Sequence, residues 1–296
     1  MGDSKAIPPL IARPALAYDL RPIGAVLVDA GRLKIQDVER ILHLQQENKN
    51  LRFGDAALQL GVLMKADIDY ALSRQFDFPY LQRGETSVSE EVVAAFAPFG
   101  PQVEAIRALR SQLMLRWLDS DPAYKALAVV SAARKEGRSF IASNLAVAFS
   151  QLGRRTLLVD ADLRNPCQHR LFGIDNRVGL SAVLSGRAGP ETVQRIPALP
   201  SLSVLPAGAL PPNPEELLAR PIFAELLHQL AAHLDVILLD TPAAGETADA
   251  QTVAVRAGAA LIIARKNAAR KWRVQGVSES VAQGRVNIVG AVLNSF

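Results

Sequence analysis

Six short apolar runs in the last two-thirds of the chain set the tightest limit on what it can fold into. They read ALAVVSA (126–132), TLLVDAD (156–162), LSVLPAG (202–208), DVILLDTP (235–242), AALIIAR (259–265) and NIVGAVLN (287–294). Stretches with helical spacing separate them. Several runs are apolar without alternation, as expected of parallel strands covered on both faces. Strand–helix alternation over residues 103–296 predicts an α/β fold: a doubly wound, mostly parallel sheet, with ligands bound beyond the carboxyl ends of the strands.

The preceding residues are organised differently. Residues 1–16 are proline-rich and read as a flexible N-terminus. Residues 83–102 carry Gly, Ser, Thr and Pro at both ends and read as a linker. Between them, 17–82 form a small helical unit with an internal repeat. PIGAVLVDAGRLKIQDVERILHLQ (22–45) aligns with RFGDAALQLGVLMKADIDYALSRQ (52–75), matching Gly24 to Gly54, Gly31 to Gly61 and Gln45 to Gln75. Each half reads as a short helix, a glycine-terminated turn and a second helix. Gly31 and Gly61 serve as C-terminal caps. Two helical hairpins packed on each other explain most of this pattern.

Composition narrows the function classes. Apolar residues make up 49% and charged residues 21% of the 296, with a net charge of +4 at pH 7. The basic residues are dispersed apart from ARKNAARKWR (264–273). Aromatics are 5% and no base-stacking motif is present, so no nucleic acid partner is expected. The single cysteine, Cys167, fits a reducing compartment. No run reaches the ~18 apolar residues of a membrane span, and the N-terminus lacks a leader pattern. The expected location is cytoplasmic.

Three stretches carry the chemistry. SAARKEGRSF (131–140) lies between a strand and a helix, the setting of a phosphate-binding loop. Gly137 and Ser139 occupy the usual slots, but Arg138 stands where lysine is usual and Lys135 where glycine is. Taken alone, a basic surface turn reads equally well. The second stretch, LLVDADLR, ends a strand in Asp160 and Asp162, followed by Arg164. Carboxylates one residue apart there point the same way and call for a cation such as Mg²⁺. The third, DVILLDTP, ends in Asp240, in the manner of a Walker B strand.

Taken together, residues 103–296 resemble the bacterial tyrosine kinase family, cytoplasmic ATPase domains that control capsule and exopolysaccharide chain length and are relatives of the MinD/ParA-type ATPases. LVDADLR (158–164) matches the family's DxDxR motif, ILLDTP (237–242) its DxxP motif, and PAGALPPNPEELL (206–218) a characteristic loop. In that loop Asn213, Pro214 and Glu216 make an N-cap, an N1 proline and an N3 acid. EAIRALR (104–110) matches a motif that helps assemble subunits, which assigns Glu104, Arg107 and Arg110 to a homo-oligomer contact. An amphipathic helix with exposed charges reads equally well. The resemblance implies ATP and Mg²⁺ as cofactors. Ala133, Arg134, Lys135, Glu136, Gly137, Arg138, Ser139, Phe140, Arg164 and Asn294 would bind the nucleotide. Ser139, Asp160 and Asp240 would hold the metal. Arg138, Asp160, Asp162 and Asp240 would carry catalysis. A membrane-bound polysaccharide chain-length determinant protein is the implied partner and would recruit the chain to the inner membrane.

The repeat of 17–82 is similar to the N-terminal domain of type II secretion and pilus ATPases, some of which bind cyclic di-GMP. That likeness points to Arg21, Gly24, Arg52, Gly54 and Gln75. The pairing of such a domain with an EGRS loop looks most like the exosortase-associated members of the kinase family. Two features depart from the pattern. Arg134-Lys135 replaces Pro-Gly, and no tyrosine follows Tyr124, the others being Tyr18, Tyr70 and Tyr80. Two alternatives therefore stay open: a weakly active or inactive scaffold coupling a cyclic di-GMP-responsive domain to polysaccharide export, and a partitioning-type ATPase.

Overall fold

A computed structural model describes residues 21–75, 80–81, 84, 87–97, 100–119 and 125–295. The expected flexible N-terminus, Tyr18 and Tyr124 lie outside the described residues. The chain divides into two compact units at residues 82/83.

In the small unit the apolar spacing folds into α1 (Ile23–Asp29), α2 (Ile35–Glu47), α3 (Phe53–Gln59) and α4 (Lys65–Gln75). Helix α1 packs on α4, and α2 on α3. The two short helices end in the same way. Gly31 (φ 67°) donates its N–H to Val28 and Arg32 donates to Leu27. Gly61 (φ 65°) donates to Leu58 and Val62 to Ala57. Both are Schellman caps, which need a residue in the left-handed region. The core joins Val26, Leu27, Leu33 and Ile41 of one half to Ala56, Ala57, Leu63 and Ala71 of the other. Arg32, at a position where the repeat motif is apolar, bonds Asp67 at 2.8 Å and lies over the Tyr70 ring at 4.3 Å. The two halves are thus tied by a charge pair as well as by apolar burial.

The large unit adds α5 (Val93–Phe96), α6 (Pro101–Leu113) and a π-helical turn, Met114–Leu118. It continues through β1 (Ala126–Ser131), α7 (Arg138–Ser150), β2 (Thr156–Asp160), α8 (Gln168–Leu171) and α9 (Leu180–Leu184). A 3-10 turn (Pro190–Thr192) leads to β3 (Gln194–Arg195), β4 (Leu202–Leu205), α10 (Pro214–Ala219) and α11 (Pro221–Ala231). The chain then runs through β5 (Val236–Asp240), α12 (Asp249–Ala257), β6 (Ala259–Arg265), α13 (Lys271–Gln283) and β7 (Asn287–Asn294). The sheet order is β3-β4-β2-β5-β1-β6-β7, parallel except for the β3–β4 pair.

The apolar runs of β1, β2, β4, β5 and β6 are continuous because both faces of the sheet are covered there, whereas β7 at the edge is largely uncovered. Ala128, Val130, Leu157, Val159, Ile237 and Leu239 face a core built with α9–α13. The alternate strand positions face α7, which packs on β1, β2 and β5. Burial of a strand leucine or isoleucine here stabilises the fold by about 2 kcal/mol.

Two expectations are corrected. Residues 88–97 are not a connector: Val88, Val92, Ala94, Ala95 and Phe96 are buried. Their backbone is bonded to α7, with Ala94 donating to Asn144 Oδ1 at 2.8 Å and accepting from Gln151 Nε2 at 2.9 Å. The apolar run VVAAFA needs a face to cover, and α7 supplies it. At the start of α10, Pro214 is the first helical residue and Glu215 and Glu216 lie in the first turn, but the Asn213 side chain makes no capping bond.

Candidate active site

The phosphate loop leaves the end of β1 and enters α7. Gly137 is its N-cap at φ 94°, and Lys135 stands at φ 60°. Lys135 therefore holds a left-handed conformation that costs a β-carbon-bearing residue about 1 kcal/mol. The loop is closed from inside. Glu136, nearly fully buried, accepts the Ala133 N–H at 2.8 Å, and Asn294 Nδ2 at the end of β7 donates to the Glu136 carbonyl at 3.2 Å.

Arg138 does not extend freely toward a ligand, as a lysine substitute would be expected to. It is 8% exposed. Its Nε donates to the Thr241 carbonyl at 2.8 Å, and its Nη1 donates to the Ala133 carbonyl at 2.8 Å and to Ser131 Oγ. A planar five-donor fork fits between carbonyls in this way. The arginine bridges the end of β1 to the residue that follows β5.

The carboxylates pair differently from the sequence expectation. Asp160 is not matched with Asp162 but with Asp240, its register partner across β2 and β5. Both are fully buried. Asp160 Oδ2 accepts the backbone N–H groups of Cys167 and Gln168, each at 2.9 Å. Asp240 Oδ2 accepts Gln168 Nε2 at 2.8 Å. Among the described residues the Oδ1 atom of each has no hydrogen-bond partner. Burial first, then Asp240, holds the Asp160 carboxyl well above the usual carboxylate range. Burial likewise pushes Asp240 up to about 6, against hydrogen bonds from Ser139 and Gln168. Asp162 instead closes a turn, its Oδ1 accepting Asn165 N–H at 2.8 Å and Arg164 N–H at 3.2 Å. It lines a cleft of about 200 Å³ with Arg134, Arg138, Ser139 and Glu246.

The residues fit Mg²⁺. Two buried acceptor oxygens without donors, beside the Ser139 hydroxyl, form a hard-oxygen set. Among the described residues no group of three or more His, Cys, Asp or Glu forms a metal cluster. Mg²⁺ takes one or two carboxylates and fills its shell with water and phosphate oxygens.

Other predicted residues go elsewhere. Arg164 is held by Asp249, at 2.7 Å from Nε and 3.1 Å from Nη2. Arg107 pairs with Glu104 at 2.6 Å, whereas Arg110 turns inward and donates to the Ala148 carbonyl on α7 at 3.1 Å. The charges of this helix therefore do not all face solvent. In the small unit Arg21 pairs with Asp29, and Gln75 reaches the Arg21 carbonyl at 3.4 Å. Arg52 is the N-cap position of α3. A β-carbon on Gly24 would meet the Phe53 ring at 3.1 Å, and one on Gly54 would meet Ile68 at 3.3 Å. Helix packing alone accounts for these glycines.

Sequence reasoning missed Gln168, Asp249, Glu246 and Thr241. Cys167 also borders the pair: its N–H holds Asp160 and its Sγ lies 3.9 Å from Asp240 Oδ2. Burial and the flanking carboxylates push that thiol up to about 12. The signal available was position: Cys167 and Gln168 follow the DxDxR segment directly.

The ParA family model, described as the NUBPL iron-transfer P-loop NTPase, matches residues 123–295. The Bacillus subtilis tyrosine-protein kinase YwqD is 32% identical over 207 residues, covering 70% of this chain and 86% of that protein. The Escherichia coli tyrosine-protein kinase etk is 34% identical over 197 residues, covering 67% of this chain but only 27% of its own length. The solved kinase domain of E. coli ETK superposes with a TM-score of 0.67 at 32% identity, over 73% of this chain and 83% of that one. The cell division ATPase MinD of Pyrococcus furiosus does so at 0.51 and 28%, over 58% and 72%.

A parallel sheet with a strand–loop–helix phosphate site and paired carboxylates defines a ParA/MinD-type P-loop NTPase, a fold that implies nucleotide and Mg²⁺ binding. Within that class the chain belongs to the bacterial tyrosine kinase family and is a P-loop protein-tyrosine kinase/ATPase.

Proposed function

We propose that the chain uses ATP to phosphorylate tyrosine and so regulates the length or export of an exopolysaccharide, as a homo-oligomer recruited by a membrane-bound chain-length determinant protein. The observation that supports the reading best is the pair Asp160 and Asp240, buried side by side with one partnerless oxygen each, next to Ser139. The polysaccharide role rests on the resemblance of the 206–218 loop. No described helix is long and apolar enough to cross a membrane.

In this mechanism the loop 132–139 and the positive end of α7 bind the phosphates. Ser139, Asp160 and Asp240 would hold Mg²⁺, which supplies positive charge for the phosphate oxygens. Asp162 keeps Oδ1 in its turn and presents Oδ2 to the acceptor hydroxyl. It takes the tyrosine proton as the phenolic oxygen bonds to the γ-phosphorus and the bond from that phosphorus to the β–γ bridging oxygen breaks, releasing ADP.

One observation favours a second reading, a scaffold with little transfer activity: the Nε and Nη1 of Arg138 are engaged by groups of the protein itself. Calorimetric titration of Mg·ATP into the protein and into Asp240→Ala separates the two. The kinase reading expects Mg²⁺-dependent binding that the variant loses, followed by phosphate transfer to tyrosine when a partner is added. Absence of binding with and without the partner would sink it in favour of the scaffold.

A further inference from the structure

We propose that Arg134, not Arg138, is the cation that meets the terminal phosphate of the bound nucleotide, and that Glu246 holds it in reserve until the nucleotide arrives. The proposal rests on the nucleotide reading above and assigns the charge within that site.

Arg138 occupies the expected position but is committed. Its Nε and Nη1 hold the Thr241 and Ala133 carbonyls and Ser131 Oγ, so drawing it out would leave the Thr241 carbonyl without that donor, and Nη2 alone makes no hydrogen bond among the described residues. Arg134 lines the same cleft, beside Ser139 and Asp162, and is not committed. Its Nε donates to both Glu246 oxygens, at 2.9 and 2.8 Å, and both its Nη groups make no other hydrogen bond among the described residues. The pair is exposed, with side-chain accessibilities of 58% and 45%. An exposed ion pair of this kind stabilises little, so a phosphate with more charge can take its place. The released fork suits a phosphate bidentately.

Exchange needs only side-chain rotation. Glu246 follows a segment fixed to the phosphate loop: Ala244 donates to the Ser131 carbonyl at 2.9 Å and Gly245 to the Ala132 carbonyl at 3.1 Å. Glu246 therefore stays beside Arg134 as a carboxylate of the same chain that stands in for phosphate. Lys135, the other cation of the loop, does not line the cleft.

The test titrates Mg·ATP and Mg·ADP into the full chain and into Arg134→Gln, Glu246→Gln and the double variant, with melting curves as the folding control. Loss of a charge-assisted bond to the terminal phosphate should weaken ATP binding by about tenfold or more in Arg134→Gln, with ADP within about twofold. Glu246→Gln, by removing the competitor, should tighten ATP binding by about threefold. The double variant should behave as Arg134→Gln, and Arg134→Lys should keep part of the preference for ATP. Equal loss of ATP and ADP in Arg134→Gln, or weaker ATP binding in Glu246→Gln, would show a loop brace and overturn the proposal while leaving the nucleotide reading intact. A native chain that binds neither nucleotide would overturn both.

Discussion

Arg164 and Asp249 meet although 85 positions separate them, and the two ends of their bond are unequal. Asp249 has no exposure, whereas the Arg164 side chain keeps 35%. Arg164→Ala strands a buried carboxylate and should cost about 3 kcal/mol in urea unfolding; Asp249→Ala leaves an arginine that still reaches water and should cost about 1 kcal/mol. Equal losses would show that burial does not set the difference. Asp240 gives a pH prediction. Its folded value of about 6 exceeds the ~3.9 of an unfolded aspartate, so the folded state binds more protons between those values. Without metal, stability should fall as pH rises from about 4 to 6, by about 3 kcal/mol, and Asp160 acts in the same direction. Asp240→Asn should melt near the native chain at pH 4 and above it at pH 7; parallel curves would refute the assignment. At this scale the sequence displayed the chemistry but not the partners. Asp160 and Asp162 stand two positions apart in the motif, yet a strand register joins Asp160 to Asp240, and no local spacing reports that register.

Elements were more legible, because period and punctuation are local. The uninterrupted apolar runs mark β1, β2, β4, β5 and β6, since a strand covered on both faces has no polar side to show, while the run of β7 lies at the sheet edge and stays largely uncovered. The two-residue strand β3 carries too few positions for any period, and α5 was hidden by the Ser, Gly and Pro around it. The glycines at 31 and 61 mark helix ends through one physical requirement. An added β-carbon meets nothing within 4 Å at either site, so only backbone conformation opposes it. Gly31→Ala and Gly61→Ala should each cost about 1 kcal/mol by chemical denaturation, and the double variant about twice that. Costs near zero would show that the caps do not hold the helix pairs.

The whole molecule is two units, each with its own buried core: one spans both halves of the repeat, the other covers both faces of the sheet. Two cores melt as two bodies when little is shared, so calorimetry should resolve two transitions, and Mg·ATP should raise only that of the large unit. A single transition, or a shift in both, would show coupling that the fold does not require. The doubly wound architecture was readable because alternation is a whole-chain pattern. The inward turn of Arg138 was not, because it depends on Thr241, 103 positions away. That bridge has a consequence for motion. Phosphate loops usually open locally, well below the cost of global unfolding. Here the arginine, together with the Ala244 and Gly245 amides bonded to Ser131 and Ala132, stitches the loop to the segment after β5. In deuterium exchange the amides on the two sides of this seam should therefore open together, at one rate, as a single hinge plate rather than as two independent flaps.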